Sequence, residues 1–411
     1  MSEPIRVAIA GLGQLGGDLA KALVNLPAVS LVAAADPREA ARSTFEQVYG
    51  GRAHATIEEL GADPGIDAVF IATPSSLHCQ NVVSLAGAGK HMVLTKPMAL
   101  TLDECHRMVR ACDDSGVALI YGTGGMPFRP GLLAMREIIE SGRLGRLRSI
   151  THWAFSDWML RPRMVHEVTT DGGLLLNQGP HVIDTIRLLG GGMVKSVRGT
   201  TVDMGLEGRP CPGYLTGMLE FEDGTPATFI YNGYGYLFGW EFAPWADHAS
   251  KLQALESSYD FRRALRAGNV NDASVKEGSR FGAQSSRADF RSERGQGVVA
   301  NEGWLPSDDG LVIAHCERGA IRQSAGGLYV YDDAGRREVQ VDTVFGASAE
   351  ANEVQELCDA IAGRRSFRDG RWGRATLEVV LALATSGQEH REIEMKYQVP
   401  VPDGLWKGER P

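Results

Sequence analysis

The sequence predicts an α/β amino-terminal domain built on a doubly wound parallel sheet, followed by an α+β domain with a large, mainly antiparallel open sheet. Three observations carry that prediction. Up to Gly122, short apolar runs alternate with amphipathic stretches, as in successive βα units. Gly11, Gly13 and Gly16 form a G-x-G-x-x-G directly behind the first run. Further along, tight turns such as Glu222-Asp223-Gly224 join runs of alternating polarity, which is antiparallel pairing.

The first element runs from Ile5 to Ala10, and the glycine-rich turn opens a helix in which Leu15, Leu19, Leu23 and Leu26 recur on one face until Pro27. Leu31 to Ala35 supply the next strand, and Asp36 ends it roughly 20 residues beyond Gly16, where a carboxylate takes two ribose hydroxyls. Of the glycines, the first allows the turn, the second admits a pyrophosphate, and the third lets the helix approach the strand. Gln14 and Leu15 complete this cradle at the start of the helix, whose amides face the phosphates. The spacing then predicts a helix over Glu39–Tyr49, a buried strand over Ile66–Thr73 stopped by Pro74-Ser75, a helix from His78, and a strand over His91–Leu94 stopped by Lys96-Pro97. Thr101 and Glu104 form a capping box, and Val117–Tyr121 is the last strand of the series. The dinucleotide-binding domain is therefore expected over 1–124 and a substrate-binding and oligomerisation domain over 125–411. In the latter, Leu132–Ile139 is expected as a helix, Leu147–Phe155 as a strand, and Leu215–Phe221 with Ala227–Tyr231 as a hairpin. A second hairpin centres on Asp332–Gly335, and helices are expected over Asn352–Ile361 and Arg374–Gly387. Residues 239–304 show few periodic apolar positions and read as an insertion that covers the site or embraces a neighbouring subunit.

The chain has 411 residues, 43% hydrophobic and 23% charged, with a net charge of -9. That is ordinary globular usage, and an acidic surface disfavours nucleic acid and anionic membranes as partners. With neither a leader pattern nor a long apolar run, a cytoplasmic protein with a small-molecule substrate is expected. The six cysteines lack a C-x-x-C pair, so buried free thiols are expected and no metal.

Lys96 follows a parallel strand, next to where a cradled nicotinamide would lie, and can exchange a proton with an alcohol. Downstream, Asp171 to Asp184 reads as a glycine-bordered turn running into a helix, with His181 and Asp184 near the helix start. His181 and Asp184 then share one face, a histidine beside a carboxylate that can relay a proton.

The glycine fingerprint, Thr73-Pro74 with His78, Gly89-Lys90-His91 to Lys96-Pro97, and Gly179-x-His181-x-x-Asp184 stand in the order and spacing of the glucose–fructose oxidoreductase and inositol dehydrogenase (Gfo/Idh/MocA) family, which the chain resembles over nearly its whole length. The resemblance implies a Rossmann domain, NAD or NADP as cofactor, and homodimers or homotetramers paired through the open sheet. It implies cofactor contacts at Thr73, Pro74, Ser75, His78, Thr95 and Lys96, with Lys96 and His181 as acid/base partners. Two positions depart from the family. Thr95 replaces a usual glutamate, and Asn177 replaces a usual aspartate that would help bind a polyol. Asp36 favours NAD over NADP by repelling a 2′-phosphate, whereas Arg38 could swing toward one.

Trp158-x-x-Arg161-Pro162-Arg163, Tyr231 to Gly235, Cys316 to Ser324 and Asp369 to Gly373 are similar to the phthalate 4,5-cis-dihydrodiol dehydrogenase branch. The implied substrate is a carboxylated cyclic cis-diol. It would be met by Trp158, Arg161, Arg163, Asn177, Asp184 and Tyr234, either arginine being equally suited to pair with Asp157, Glu167 or Asp171 instead. A sugar or inositol dehydrogenase is the rival on the same fold, and a non-catalytic NAD-binding regulator is the rival of another class.

Overall fold

The structure, a computed structural model of the chain, describes residues 3–122, 130–245, 248–278, 280–281, 310–341, 349–364 and 366–402. The chain forms two compact units, one from Met1–Gly125, Ala273–Arg287 and Ala347–Leu377, the other from Met126–Asp272, Ala288–Gly346 and Glu378–Pro411.

In the first unit, β1 (Ile5–Ala10), β2 (Val29–Ala35), β3 (Arg52–His54), β4 (Ala68–Ile71), β5 (His91–Thr95) and β6 (Leu119–Gly122) form one parallel sheet. Its order is β3-β2-β1-β4-β5-β6, so the strand sequence reverses direction beside β1 and opens a crevice at the carboxyl ends of β1 and β4. The helices are α1 (Gln14–Leu23), α2 (Glu39–Tyr49), α3 (Ile57–Ala62), α4 (His78–Gly87) and α5 (Leu102–Ser115). Val7, Ile9, Phe70 and Val93 are fully or almost fully buried because these strands are covered on both faces. The capping box of α5 is present, with Thr101 Oγ1 accepting from the Glu104 amide at 3.3 Å and Glu104 Oε2 accepting from the Thr101 amide at 3.1 Å. One expectation is corrected: Leu15 is 43% exposed, and α1 docks through Gly16, Gly17, Leu19, Ala20 and Leu23.

The second unit carries a nine-stranded sheet. Its strands are β7 (Leu147–Phe155), β8 (Val194–Val202), β9 (Tyr214–Phe221), β10 (Pro226–Asn232), β11 (Leu311–Cys316), β12 (Gly319–Gln323), β13 (Gly327–Asp332), β14 (Gly335–Gln340) and β15 (Ile393–Glu394). The order is β14-β13-β12-β11-β7-β10-β9-β8-β15, and every pairing is antiparallel except β7 with β10. Both expected hairpins, β9–β10 and β13–β14, are present. Because β7 and β10 are parallel neighbours, the loops that leave their carboxyl ends emerge side by side. The helices α6 (Pro130–Glu140), α7 (Val165–Val168) and α8 (Gly173–Gly190) precede β8 in the chain.

Two expectations are revised here. His181 is not near the helix start: the turn at 169–171 leads into α8 at Gly173, which runs through Pro180, so His181 lies in mid-helix. A proline in a helix removes one amide donor, but here Pro180 is buried and Gly179 sits so close to Val380 that a Cβ would come within 3.1 Å, so packing offsets the loss. Within 239–304 the described residues include α9 (His248–Arg266) and α10 (Asp272–Gly278), while 282–304 lie outside the described residues. The buried positions of α9 include Ser258, Arg262 and Leu265, a helical spacing occupied largely by polar residues and therefore invisible to apolar periodicity. Arg262 lies over the Tyr236 ring, 3.7 Å from its centroid, and donates to Tyr234 O at 2.6 Å.

Near the carboxyl end, α11 (Ala349–Ile361) packs on β5 and β6, and α12 (Gly370–Glu389) follows. The Asp369–Gly373 stretch is structural. Asp369 Oδ1 caps α12 by accepting from the Arg371 and Trp372 amides at 2.9 and 3.0 Å, and Trp372 is fully buried against Phe367. A Cβ on Gly373 would fall 2.8 Å from the Tyr121 ring. Among the described residues no helix is long and apolar enough to cross a membrane.

Candidate active site

The cradle of the first unit is made of backbone. Gly11 has φ +93, and a Cβ there would lie 2.9 Å from Ala72 O; one on Gly16 would lie 1.9 Å from Gly11 O. Gly13, the residue before α1, has no described atom within 4 Å of where a side chain would begin. The arrangement fits a dinucleotide: a turn closed to side chains, an open approach at Gly13, and the amino end of α1 aimed at that opening. Gln14 and Leu15 form its first turn.

Asp36 is 5% exposed at the end of β2. Its Oδ2 accepts from the Leu12 amide at 2.8 Å and from Arg38 Nη2 at 3.2 Å, and its Oδ1 from the Arg38 amide at 2.9 Å and Arg38 Nε at 3.0 Å. The carboxylate is thus seated on the same loop as the glycines.

The ends of β4 and β5 are tied together by His78. Its Nδ1 stands 2.8 Å from Pro97 O and its Nε2 3.0 Å from Thr73 O, bracing the turn at Thr73-Pro74-Ser75 against the one that holds Lys96. Burial lowers the pKa of this fully enclosed imidazole, while the two carbonyls oppose the shift. Thr95 Oγ1 donates to Ile71 O at 3.0 Å, so the residue that replaces the usual glutamate bridges the same two strands. Lys96 itself is partly buried.

In the second unit the loops after β7 and β10 are stitched together. Met159 N donates to Gly233 O at 2.8 Å, Gly235 N to Ser156 O at 2.8 Å, and Ser156 Oγ meets Tyr231 Oη at 2.7 Å. A Cβ on Gly233 would fall 2.4 Å from Leu174, which explains the glycine between Asn232 and Tyr234. Trp158 is fully buried, and its Nε1 donates to Asn177 Oδ1 at 2.8 Å; Gln178 Nε2 donates to the same oxygen at 2.8 Å. With two donors on Oδ1, the Asn177 amide is oriented so that its Nδ2 is a donor. Asn177, His181 and Asp184 are spaced four and then three residues apart and so lie along one side of α8.

The two arginines have different surroundings. Arg161 Nε donates to the buried carboxylate of Asp157 at 2.9 Å. Arg163 lies over the Trp158 indole, 3.9 Å from its centroid, and reaches Trp158 O at 3.4 Å, while its Nε meets no acceptor among the described residues. Desolvation first, and then the neighbouring Arg161 charge, pull its pKa down to about 10, so it stays cationic at neutral pH.

Tyr234 and Asp184, expected to meet substrate, are both enclosed. Tyr234 is 2% exposed, and its hydroxyl accepts from the Met204 and Gly213 amides at 2.7 and 3.2 Å, bracing two loops. Asp184 is sealed from solvent beside Arg187 at 3.9 Å, an ion pair within the helix packing. Trp158 presents its ring to Arg163 and its N–H to Asn177. Arg209, which the sequence reading did not single out, is 3% exposed and donates to Met159 O at 2.7 Å and Arg161 O at 3.2 Å while pairing with Asp272. No motif surrounds it. The six cysteines are free and at least partly buried, and burial pushes the Cys112 thiol up to about 12.

Residues 5–123 match the family described as oxidoreductase family, NAD-binding Rossmann fold (GFO_IDH_MocA), and residues 132–236 match the GFO/IDH/MocA C-terminal domain. Among curated relatives, a 1-carboxy-3-chloro-3,4-dihydroxycyclohexa-1,5-diene dehydrogenase of Comamonas testosteroni is 29% identical over 93% of this chain and 95% of its own. A scyllo-inositol 2-dehydrogenase (NAD(+)) of Bacillus subtilis is 31% identical over 48% of this chain and 58% of its own. A crystal structure described as a dehydrogenase, from Bordetella bronchiseptica RB50, is 32% identical and superposes with a TM-score of 0.82 over 95% of this chain and 100% of that one. With a cradle built for NAD and family matches on both sheets, the chain belongs to the Gfo/Idh/MocA family of NAD-dependent oxidoreductases.

Proposed function

We propose that the protein is a dehydrogenase that removes hydride from a ring carbinol of a carboxylated cyclic cis-diol, with Arg163 receiving the substrate carboxylate. Bound NAD supplies the hydride acceptor. Lys96 takes the proton of the reacting hydroxyl, and His181 shares that acid/base work. Asn177, whose Oδ1 accepts from Trp158 Nε1 and Gln178 Nε2, presents a neutral amide rather than a carboxylate to the substrate. If the substrate is a dihydrodiol, the ketone product tautomerises to a catechol, and aromaticity makes the oxidation effectively one-way.

The observation that carries this reading is the contrast between the two guanidinium groups. A fork held on an indole face with Nε unmatched, beside an Arg161 committed to Asp157, suits a planar anion. Neutral Asn177 where polyol enzymes carry aspartate points the same way. The similarity to the Comamonas dehydrogenase, whose named substrate is a carboxylated dihydroxycyclohexadiene, adds support over nearly the full length. The inositol enzyme favours the rival reading, but its match covers only 48% of this chain.

Steady-state kinetics with a dicarboxylated cis-dihydrodiol, its neutral counterpart, glucose and myo-inositol test the proposal. Preferred turnover of the anionic diol is expected, and efficient oxidation of glucose or inositol would replace this reading with the sugar dehydrogenase one. We further propose self-association through the open sheet face, which exposes Trp153 and Met218. Analytical ultracentrifugation giving a monomer would refute it.

A further inference from the structure

The segment Ala273–Arg287 belongs to the first unit although it lies in sequence between elements of the second. Its described end, Phe281, packs on the cofactor domain. A Cβ placed on Gly17 of α1 would fall 3.0 Å from the Phe281 ring, so the glycine leaves room for it. On its other side the ring stacks with Tyr49 of α2, with centroids 6.2 Å apart and planes inclined by 19°. The backbone carbonyl of Phe281 then accepts from Arg38 Nη1 at 3.3 Å.

Arg38 is thereby held by three acceptors on three pieces of chain. These are the Asp36 carboxylate, Leu12 O at 2.6 Å from Nη2, and Phe281 O. Asp36 and Leu12 belong to the cradle loops, whereas Phe281 is contributed from a distant segment. The adenosine ribose of a cradled dinucleotide approaches Asp36. A 2′-phosphate there meets a carboxylate and needs a guanidinium released from it, while an unmodified ribose needs only acceptor positions on Asp36.

We propose that Phe281 is a positioning residue for cofactor choice: seated on Gly17 and Tyr49, it holds Arg38 on the Asp36 and Leu12 side of the cradle and denies it to a 2′-phosphate, so that the distant segment enforces the preference for NAD over NADP. Removing the ring unseats the segment and frees Arg38 to turn. The gain then belongs to NADPH, because NADH binding does not call on a free guanidinium.

Dissociation constants for NADH and NADPH in wild type, Phe281→Ala, Arg38→Ala and the double variant test this. Phe281→Ala is expected to lower the NADPH-to-NADH ratio of dissociation constants about tenfold, the scale of one charge-assisted contact to phosphate. In the Arg38→Ala background the same change is expected to leave the ratio unmoved. Gly17→Ala provides a second route, since its new methyl crowds the ring while favouring the helix, and it should shift the ratio in the same direction. Equal weakening of both cofactors in Phe281→Ala, an unchanged ratio, or an equal shift without Arg38 would overturn the proposal. If Phe281→Ala does not yield folded protein, an unchanged ratio in Gly17→Ala overturns it alone.

Discussion

In the cradle, Gly11, Gly13 and Gly16 offer the cofactor backbone amides and empty space, and a Cβ on the first or third would strike a carbonyl oxygen. In the second unit, Trp158, Asn177, Gln178, Arg161 and Arg163 do the opposite. They fill space with side chains that partner one another or, for Arg161, the neighbouring Asp157. The cradle recognises what all its ligands share, phosphates and ribose, so spacing alone specifies it. In the proposed function the arginine-bearing loop recognises what distinguishes one substrate from another, so its character depends on which polar groups are already committed.

The strongest test of that division is Lys96→Met. Turnover should fall by about 10² to 10⁴, the usual worth of general acid–base catalysis, with NADH affinity in fluorescence titration essentially unchanged because the cradle is untouched. Near-normal kcat would end the proposed mechanism. Next comes the contrast between the arginines. Arg163→Ala should raise KM for a dicarboxylated cyclic diol more than tenfold, about 2 to 4 kcal/mol, and hardly affect a neutral diol. Arg161→Ala should act chiefly on stability, by about 1 to 3 kcal/mol in urea unfolding, because it strands the buried Asp157. Equal KM effects in the two variants would erase the distinction drawn between them.

Gly11→Ala attacks the cradle through its backbone. With φ at +93 and Ala72 O in the way, it should cost about 1 to 3 kcal/mol of stability and weaken NADH binding while leaving the loop at Arg163 intact. Normal NADH affinity in this variant would argue against a steric requirement. The smallest effect concerns His78. Its folded pKa is depressed below the ordinary 6.5, so the folded state binds fewer protons than the unfolded one. The stability it contributes is complete above 6.5 and is lost as pH falls from 6.5 through the folded value. Urea unfolding at about pH 7.5 and about pH 5 should show a larger acid loss in wild type than in His78→Asn. Equal losses would mean the imidazole is not held neutral.

The reading from residues succeeded where structure is local. The G-x-G-x-x-G turn, the Thr101–Glu104 cap and the hairpin turns at Glu222-Asp223-Gly224 and Asp332–Gly335 each place their determinants within a few residues. It failed at Pro180, where burial carries α8 through a residue that ordinarily stops a helix, and at α9, whose docked positions include Ser258 and Arg262. It also left Arg161 and Arg163 equivalent, because six residues of loop do not reveal that Asp157 takes one and Trp158 the other.

By itself, then, the sequence determined the doubly wound cofactor domain, its glycine turn and acid, the presence of an antiparallel second sheet, and the identities of Lys96 and His181 as reactive candidates. Periodicity and steric demands on a short backbone stretch suffice for the fold and the cradle, and the family resemblance supplies Lys96 and His181. Tertiary structure decided that β7 and β10 run parallel and bring two loops to one edge, that Asp184 and Tyr234 are enclosed, that Arg163 lies on the Trp158 ring with its Nε unmatched among the described residues while Arg161 pairs with Asp157, and that Phe281 reaches Arg38 across 243 residues. Each of these depends on the pairing of polar groups far apart in the chain, which burial and topology choose and no local pattern encodes.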